Sequence, residues 1–282
     1  MKEFFGIGGY QRPAEGAWSW QHLLFVSLML AAMIALAIFL GLRNKAKDDK
    51  TKNQVLIWAA ILIDSFELIK IFVVCYRDGS LEPLKRLLPL FLCSIQLIAI
   101  PLAAFAKGKL KEAALDFVLI FGILGGVLGT VGAVQNYSSY PVLSMDNVFS
   151  AITHCISGFS SLYILLSGME SMKKENVVWT SSILLGFCVA ATIANAAVDY
   201  NYMFLRNHDG TPYVLVWNLV GGNPILYPIM VVLLFVVYLA LFYYVYDCIK
   251  YKRWNFGFEA KQPTQAAIAV SDTSNQTDST EK

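Results

Sequence analysis

Long uninterrupted apolar runs alternate along this chain with short, lysine-rich connections. A helix needs roughly 20 mostly apolar residues to cross the hydrocarbon core of a bilayer. Seven segments meet that length: 20–42, 54–76, 87–106, 114–134, 147–168, 177–200 and 224–247. Their apolar residues run continuously rather than alternating, which reads as helix and disfavours a membrane β-barrel. The second segment holds charges and the third holds prolines, so these two are the least uniform. The expected fold class is all-α, a polytopic seven-helix transmembrane bundle over 20–248. A short external N-terminus (1–19) precedes it. A polar tail (249–282) follows and is expected to be disordered and cytoplasmic. No internal repeat supports an inverted-repeat transporter.

Loop charge sets the orientation, because cytoplasmic loops carry the excess of Lys and Arg. Arg43 to Lys52, Lys107 to Lys111, Lys173 with Lys174, and Lys250 to Arg253 put 13 basic residues on one side. The other side has 6: Lys2, Arg12, Arg77, Lys85, Arg86 and Arg206. The expected N-terminus is therefore outside and the C-terminus cytoplasmic, a parity that seven spans satisfy. Gly8, Gly9, Arg12 and Pro13 interrupt the start of the chain where a cleavable signal peptide would need an apolar stretch.

Composition agrees and adds exclusions. The 282 residues are 57% hydrophobic and 15% charged, against about 45–50% and about 25% in soluble domains. A net charge of +2 gives no case for nucleic-acid binding. Five cysteines, an odd number, do not form a disulfide framework.

Polar groups inside the spans are costly, which makes each a candidate for function. Span two carries Asp64, Glu67 and Lys70, three apart on one helix face, where Glu67 and Lys70 can pair. Span three carries Cys93 and Gln96, with Pro89 in its first turn and Pro101 expected to kink it. Ser150, His154, Ser157 and Ser161 form one stripe on span five. Asn195, Asp199 and Tyr202 follow on span six, with Asn201 beside them, and His22 opens span one. Gly122, Gly125, Gly126, Gly129 and Gly132 on span four read as close helix packing, and they permit a homo-oligomer. Counted from the span ends, His22, Glu67, Cys93, His154, Asn195 and Asp199 share one depth band in the outer half. Apart from Asp64, the inner half shows no comparable ionisable group. A polar cavity open to the outer side is expected.

A buried thiol becomes nucleophilic when a histidine can take its proton. Cys93 and His154 are the matched pair, and the reaction open to them is acyl transfer from a lipid ester, or hydrolysis with water as acceptor. Glu67 or His22 could fix the imidazole tautomer. Zinc held by His22, Cys93 and His154 lacks clustered spacing, so no metal and no cofactor is expected. The alternative is non-catalytic binding or transport of a small solute or lipid headgroup through the same cavity, using Glu67, His154 and Asp199.

Several stretches carry a resemblance: 18–23 with His22, the Glu67 to Lys70 segment, Pro-Leu-Phe-Leu-Cys-Ser at 89–94, His154, Asn-Tyr-Met-Phe-Leu at 201–205, and Asn223 before Pro224. Together, over roughly residues 20–250, they resemble the YwaF-type integral membrane family of bacteria, whose members have seven spans. More distantly, the chain is similar to a eukaryotic transmembrane acyltransferase of ether phospholipids. That likeness implies a catalytic Cys and His at Cys93 and His154, lipid metabolism as the setting, and membrane lipid as substrate and partner. Lys70, Gln96, Ser157, Asn201 and Tyr202 are expected to support the site or bind its ligand.

Overall fold

The computed structural model describes residues 1–251, and these are all-α. In chain order the helices are α1 (Trp20–Asn44), α2 (Asp49–Asp78), α3 (Gln96–Phe105), α4 (Gly108–Val131), α5 (Val134–Ser139), α6 (Met145–Ser167), α7 (Asn176–Val198), α8 (Val214–Leu219) and α9 (Leu226–Lys250). Single 3-10 turns lie at Glu82–Arg86 and Tyr202–Phe204. Among the described residues, five helical stretches are long and apolar enough to cross a membrane: Trp20–Asn44, Gly108–Ser139, Met145–Ser167, Asn176–Val198 and Leu226–Lys250. Residues 1–243 form one compact unit, and a second begins at Tyr244. Most of the tail expected to be disordered, from 252 on, lies outside the described residues.

Helix α4 is the centre of the first unit. Every residue from Ala113 to Gly122 is buried, as expected of a helix surrounded by others. It packs on α3, α6 and α7, while α1 and α2 lie against α6. The α4–α6 contact is unusually close: a methyl group added at Gly126 would sit 2.6 Å from the Gly158 Cα. Ser157 and Ser161 donate across this interface to the carbonyls of Gly122 (3.3 Å) and Leu119 (2.6 Å). Half of the serine–histidine stripe on α6 is thus interhelical hydrogen bonding.

Two elements depart from the expected pattern. Segment 87–106 is not one helix, because α3 begins only at Gln96 and residues 87–95 run in turns. Proline 89 cannot donate a helical bond and biases the residue before it away from the α region. The freed backbone finds a partner elsewhere: the Tyr202 hydroxyl accepts from Leu88 N–H (3.1 Å) and donates to the Lys85 carbonyl (2.8 Å). The second departure is Asp116, a fully buried carboxylate near the start of α4 that contradicts the expectation of an inner half free of such groups. It accepts from Ser171 N–H (3.2 Å), Met172 N–H (2.8 Å), Asn176 Nδ2 (3.0 Å) and the Tyr243 hydroxyl (2.8 Å). One side chain therefore ties α4 to α7, to α9 and to the turn before α7.

The N-terminal segment is folded onto the opposite end. Arg77 at the end of α2 makes two bonds of 2.7 Å to Asp146 at the start of α6. The Tyr10 hydroxyl donates to the same carboxylate at 2.5 Å, and Met145 N–H donates to the Phe4 carbonyl (2.8 Å). Burial, reinforced by Asp146, pushes the Tyr10 phenol from its ordinary 10.0 up to about 12. The phenol thus keeps its proton at neutral pH, and what this contact adds to stability fades as pH climbs past the ordinary value. Arg77→Ala is expected to free residues 1–16, which limited proteolysis would show as early cleavage there. Unchanged cleavage would mean that other contacts hold the segment.

Candidate functional site

Cys93 and His154 border two adjoining spaces of different character. The smaller, about 70 Å³, is polar, lined also by Glu67, Lys70, Ser94, Ser150 and Thr153. The larger, about 780 Å³, has walls that include Phe91, Phe121, Leu124, Leu128, Phe204 and Phe235. Residues 132–136 and 209–212 also line it. A space of that size is within the range of ligand pockets.

Each functional side chain is placed by a local feature. Cys93 sits in the irregular segment, three residues ahead of α3. That segment is clamped by the 201–205 turn: Tyr202 holds Leu88 and Lys85, and its ring packs on Phe91 at 5.2 Å. Asn195 holds the turn in place, accepting from Tyr202 N–H at 2.5 Å and donating to the Tyr202 carbonyl at 3.0 Å. Asn201 accepts from Arg206 N–H (2.9 Å) and donates to the Asn207 carbonyl (3.0 Å), which closes the following loop.

Helix α4 makes the room. Gly122 and Gly126 serve close packing, as their sequence pattern implies, but Gly125 and Gly129 face the site. A methyl at Gly125 would lie 3.4 Å from the Cys93 Cβ, and one at Gly129 would overlap the His154 ring. The ring itself faces the Gly125 carbonyl. Gly129→Ala is therefore expected to push His154 out of place, and with the imidazole acting as the acceptor of the thiol proton to cut Cys93 reactivity about tenfold or more. Alkylation of Cys93 in purified protein would measure this, and a wild-type rate would overturn it.

On α2, Lys70 and Glu67 form an ion pair of 2.6 Å, with side chains only 18% and 13% exposed. Both reach the small pocket, so the pairing expected from their spacing is present and it faces the cysteine.

Other residues singled out in the sequence lie elsewhere. His22 is buried against Tyr137 (ring centroids 4.0 Å apart), accepts from Trp18 N–H (2.9 Å) and lines neither space. The zinc set of His22, Cys93 and His154 is accordingly not assembled, and the described residues contain no group of three His, Cys, Asp or Glu side chains able to hold a metal. Asp199 is exposed, pairs with Arg206 at 2.5 Å and lines a separate cleft. Gln96 is fully buried with neither amide atom bonded to protein, and it does not line the cavities. Ser157 belongs to the α4–α6 interface. The expected shared depth band thus resolves into one site and several structural supports.

Some site residues escaped the sequence reading. Met203 and Phe204 line the large cavity with φ of +54° and +56°, a region that non-glycine residues seldom adopt. Such outliers cluster at functional sites. Thr153 and Tyr213 also line the site, and an isolated hydroxyl in an apolar helix gives no distinguishing pattern.

The long apolar helices, with their buried polar centre, define a multi-pass integral membrane protein. Within that class the chain belongs to the TMEM164 family, whose model matches residues 17–246. The matching family carries this name and not the YwaF-type name that the motifs evoke. No curated protein and no solved structure matches the chain.

Proposed function

We propose that this protein is a lipid acyltransferase, or the closely related acyl hydrolase, with Cys93 as nucleophile and His154 as its base. One observation carries the reading: Cys93 and His154 both line a small pocket rich in polar side chains and also the larger, largely apolar cavity beside it. An ester whose acyl chain lies among Phe91, Phe121 and Phe235 would bring its carbonyl to the sulfur. His154 takes the thiol proton, and the thiolate attacks the carbonyl carbon. The tetrahedral intermediate collapses to a thioester as the leaving lysolipid oxygen takes the proton back from His154. A second hydroxyl, or water, then gives its proton to His154 and attacks the thioester, and Cys93 leaves to be reprotonated. The likeness of the Cys93 and His154 motifs to an ether-phospholipid acyltransferase supports the same chemistry.

The fold is read here as seven crossings, with the N-terminus outside and the C-terminus in the cytoplasm. The 30 residues of α2 give a length of about 45 Å, enough to cross. Its Leu68, Ile69 and Phe72 face outward as lipid-facing residues would, while Glu67 and Lys70 turn inward. Segment 87–105 makes the third crossing, half irregular and half helix. Non-helical backbone at membrane depth is tolerated where it lines a cavity. A reporter fused after Lys282 is expected to read cytoplasmic; a periplasmic reading would overturn the orientation.

The direct test uses the purified protein in nanodiscs, supplied with a phospholipid donor and a lysophospholipid acceptor. An acyl-sized mass increase on the Cys93 peptide, with acylated acceptor or free fatty acid as product, is expected. Absence of both the adduct and any product would overturn the assignment.

A further inference from the structure

The geometry points to Lys70 as the cation that offsets negative charge on the Cys93 sulfur, with Glu67 as the positioning residue that fixes its ammonium. The assignment rests on the reading of Cys93 as nucleophile.

An ion pair in this place requires an explanation. Ionisable groups within membrane helices are costly, and buried pairs are often no more stabilising than apolar residues of the same shape. Lys70 and Glu67 nevertheless sit on a helix whose neighbouring Leu68 and Ile69 are exposed and apolar, and they line the smaller of the two spaces that Cys93 and His154 share. Glu67 and Lys70 both line the pocket with Cys93 and His154, and of the two only the Lys70 ammonium has the sign of charge that offsets a thiolate.

The other ionisable groups around the sulfur leave this role to Lys70. Helix α6 supplies His154, and Tyr213 approaches from the segment before α8. Helix α4 lines the large cavity with Phe121, Leu124, Gly125, Leu128 and Gly129, none of them ionisable, and Asp209 lines the same cavity. When His154 takes the thiol proton, the sulfur becomes negative beside the Lys70 ammonium and the imidazole becomes positive beside the same ammonium. The first contact holds the thiolate. The second is repulsive, and it favours delivery of the proton from His154 to the leaving lysolipid oxygen. Every proton that leaves the sulfur is thereby returned to a product.

The experiment is alkylation of the full-length protein in nanodiscs with iodoacetamide, from neutral to alkaline pH, read at each cysteine peptide by mass spectrometry. Lys70→Met is expected to slow Cys93 alkylation about tenfold at neutral pH and displace its pH profile to the alkaline side, the equivalent of about one pKa unit. Lys70→Arg should stay near wild type. Glu67→Gln should fall between, because the cation remains but is no longer fixed. Lys70→Met alone leaves a buried carboxylate unpaired, so the double variant Glu67→Gln with Lys70→Met provides a folded neutral counterpart and is expected to match Lys70→Met. Buried Cys188 serves as the internal measure of folding. A Cys93 profile in the double variant that superposes on wild type would overturn the assignment. If the profile shifts as expected while Cys93→Ala retains lipid turnover, the acyl-transfer reading falls and the electrostatic assignment stands.

Discussion

Replacing Cys93 by alanine is expected to remove lipid acyl turnover, by about 10⁴-fold or more, while the protein still inserts and folds. No other thiol stands ready to substitute. Cys155 is next to His154 in sequence but turns the other way around α6, where its sulfur lies 3.8 Å from the Thr130 hydroxyl. Cys188 is buried on α7 and lines neither space. Cys93→Ser should be nearly as inactive, since it keeps the shape and loses the thiolate. The measurement is product formation from a labelled phospholipid, with thermal unfolding as the control for folding. The contrary outcome is equally specific. If Cys93→Ala leaves turnover or phenotype intact while Glu67→Gln removes it, the cavity binds or moves its ligand without chemistry. Asp199 would not be part of that alternative site, because it faces Arg206 in its own cleft.

Asp116→Ala is expected to be the most destabilising single change, at about 3–5 kcal/mol. Four donors converge on this carboxylate, and a buried donor left unmet costs about 1–3 kcal/mol. The total stays below four times that figure because Tyr243 can re-pair with Thr180, already 3.0 Å away. Asp116→Asn should cost less, since it keeps one acceptor but turns a new donor toward Asn176 and Tyr243. Thermal or denaturant unfolding in detergent would measure both. The alkylation profile of Cys93 should stay near wild type in the Asn variant, because Asp116 lines neither cavity. Wild-type stability in the Ala variant would show that the cluster is not what ties these helices together.

What the sequence made legible follows from how local each signal is. Continuous apolar runs located every long helix, with starts as much as six residues off where α2 and α4 extend into polar sequence, because crossing a bilayer imposes a length of apolar helix. Depth counting puts Cys93, His154 and Glu67 at one level, and these three line one pocket. It also gathered His22, Asn195 and Asp199, because depth along a helix says nothing about the direction a side chain faces. Asn195 supports the site from a distance, by holding the 201–205 turn, and in sequence a buried amide that holds a turn looks just like one that holds a ligand. Segment 87–95 was read as helix because Pro89 is compatible with a first turn. Its actual course depends on the Tyr202 hydroxyl, more than 100 residues away, and no local pattern can announce such a partner. Asp116 lies two residues inside a span expected to end near there, where a carboxylate reads as an ordinary interfacial charge.

The glycines of α4 have a consequence for how this site can vary among relatives. The missing side chains at Gly125 and Gly129 leave room that Cys93 and the His154 ring use. Its size is consequently adjustable one methyl group at a time, with the bundle left intact. At Gly125, where an added methyl meets Cys93 at ordinary contact distance, an alanine would narrow the chamber without breaking it. At Gly126 the same change would collide with the backbone of Gly158. Neighbouring positions on one helix thus answer to different pressures: one admits drift in substrate preference, and the other is closed to it by the architecture.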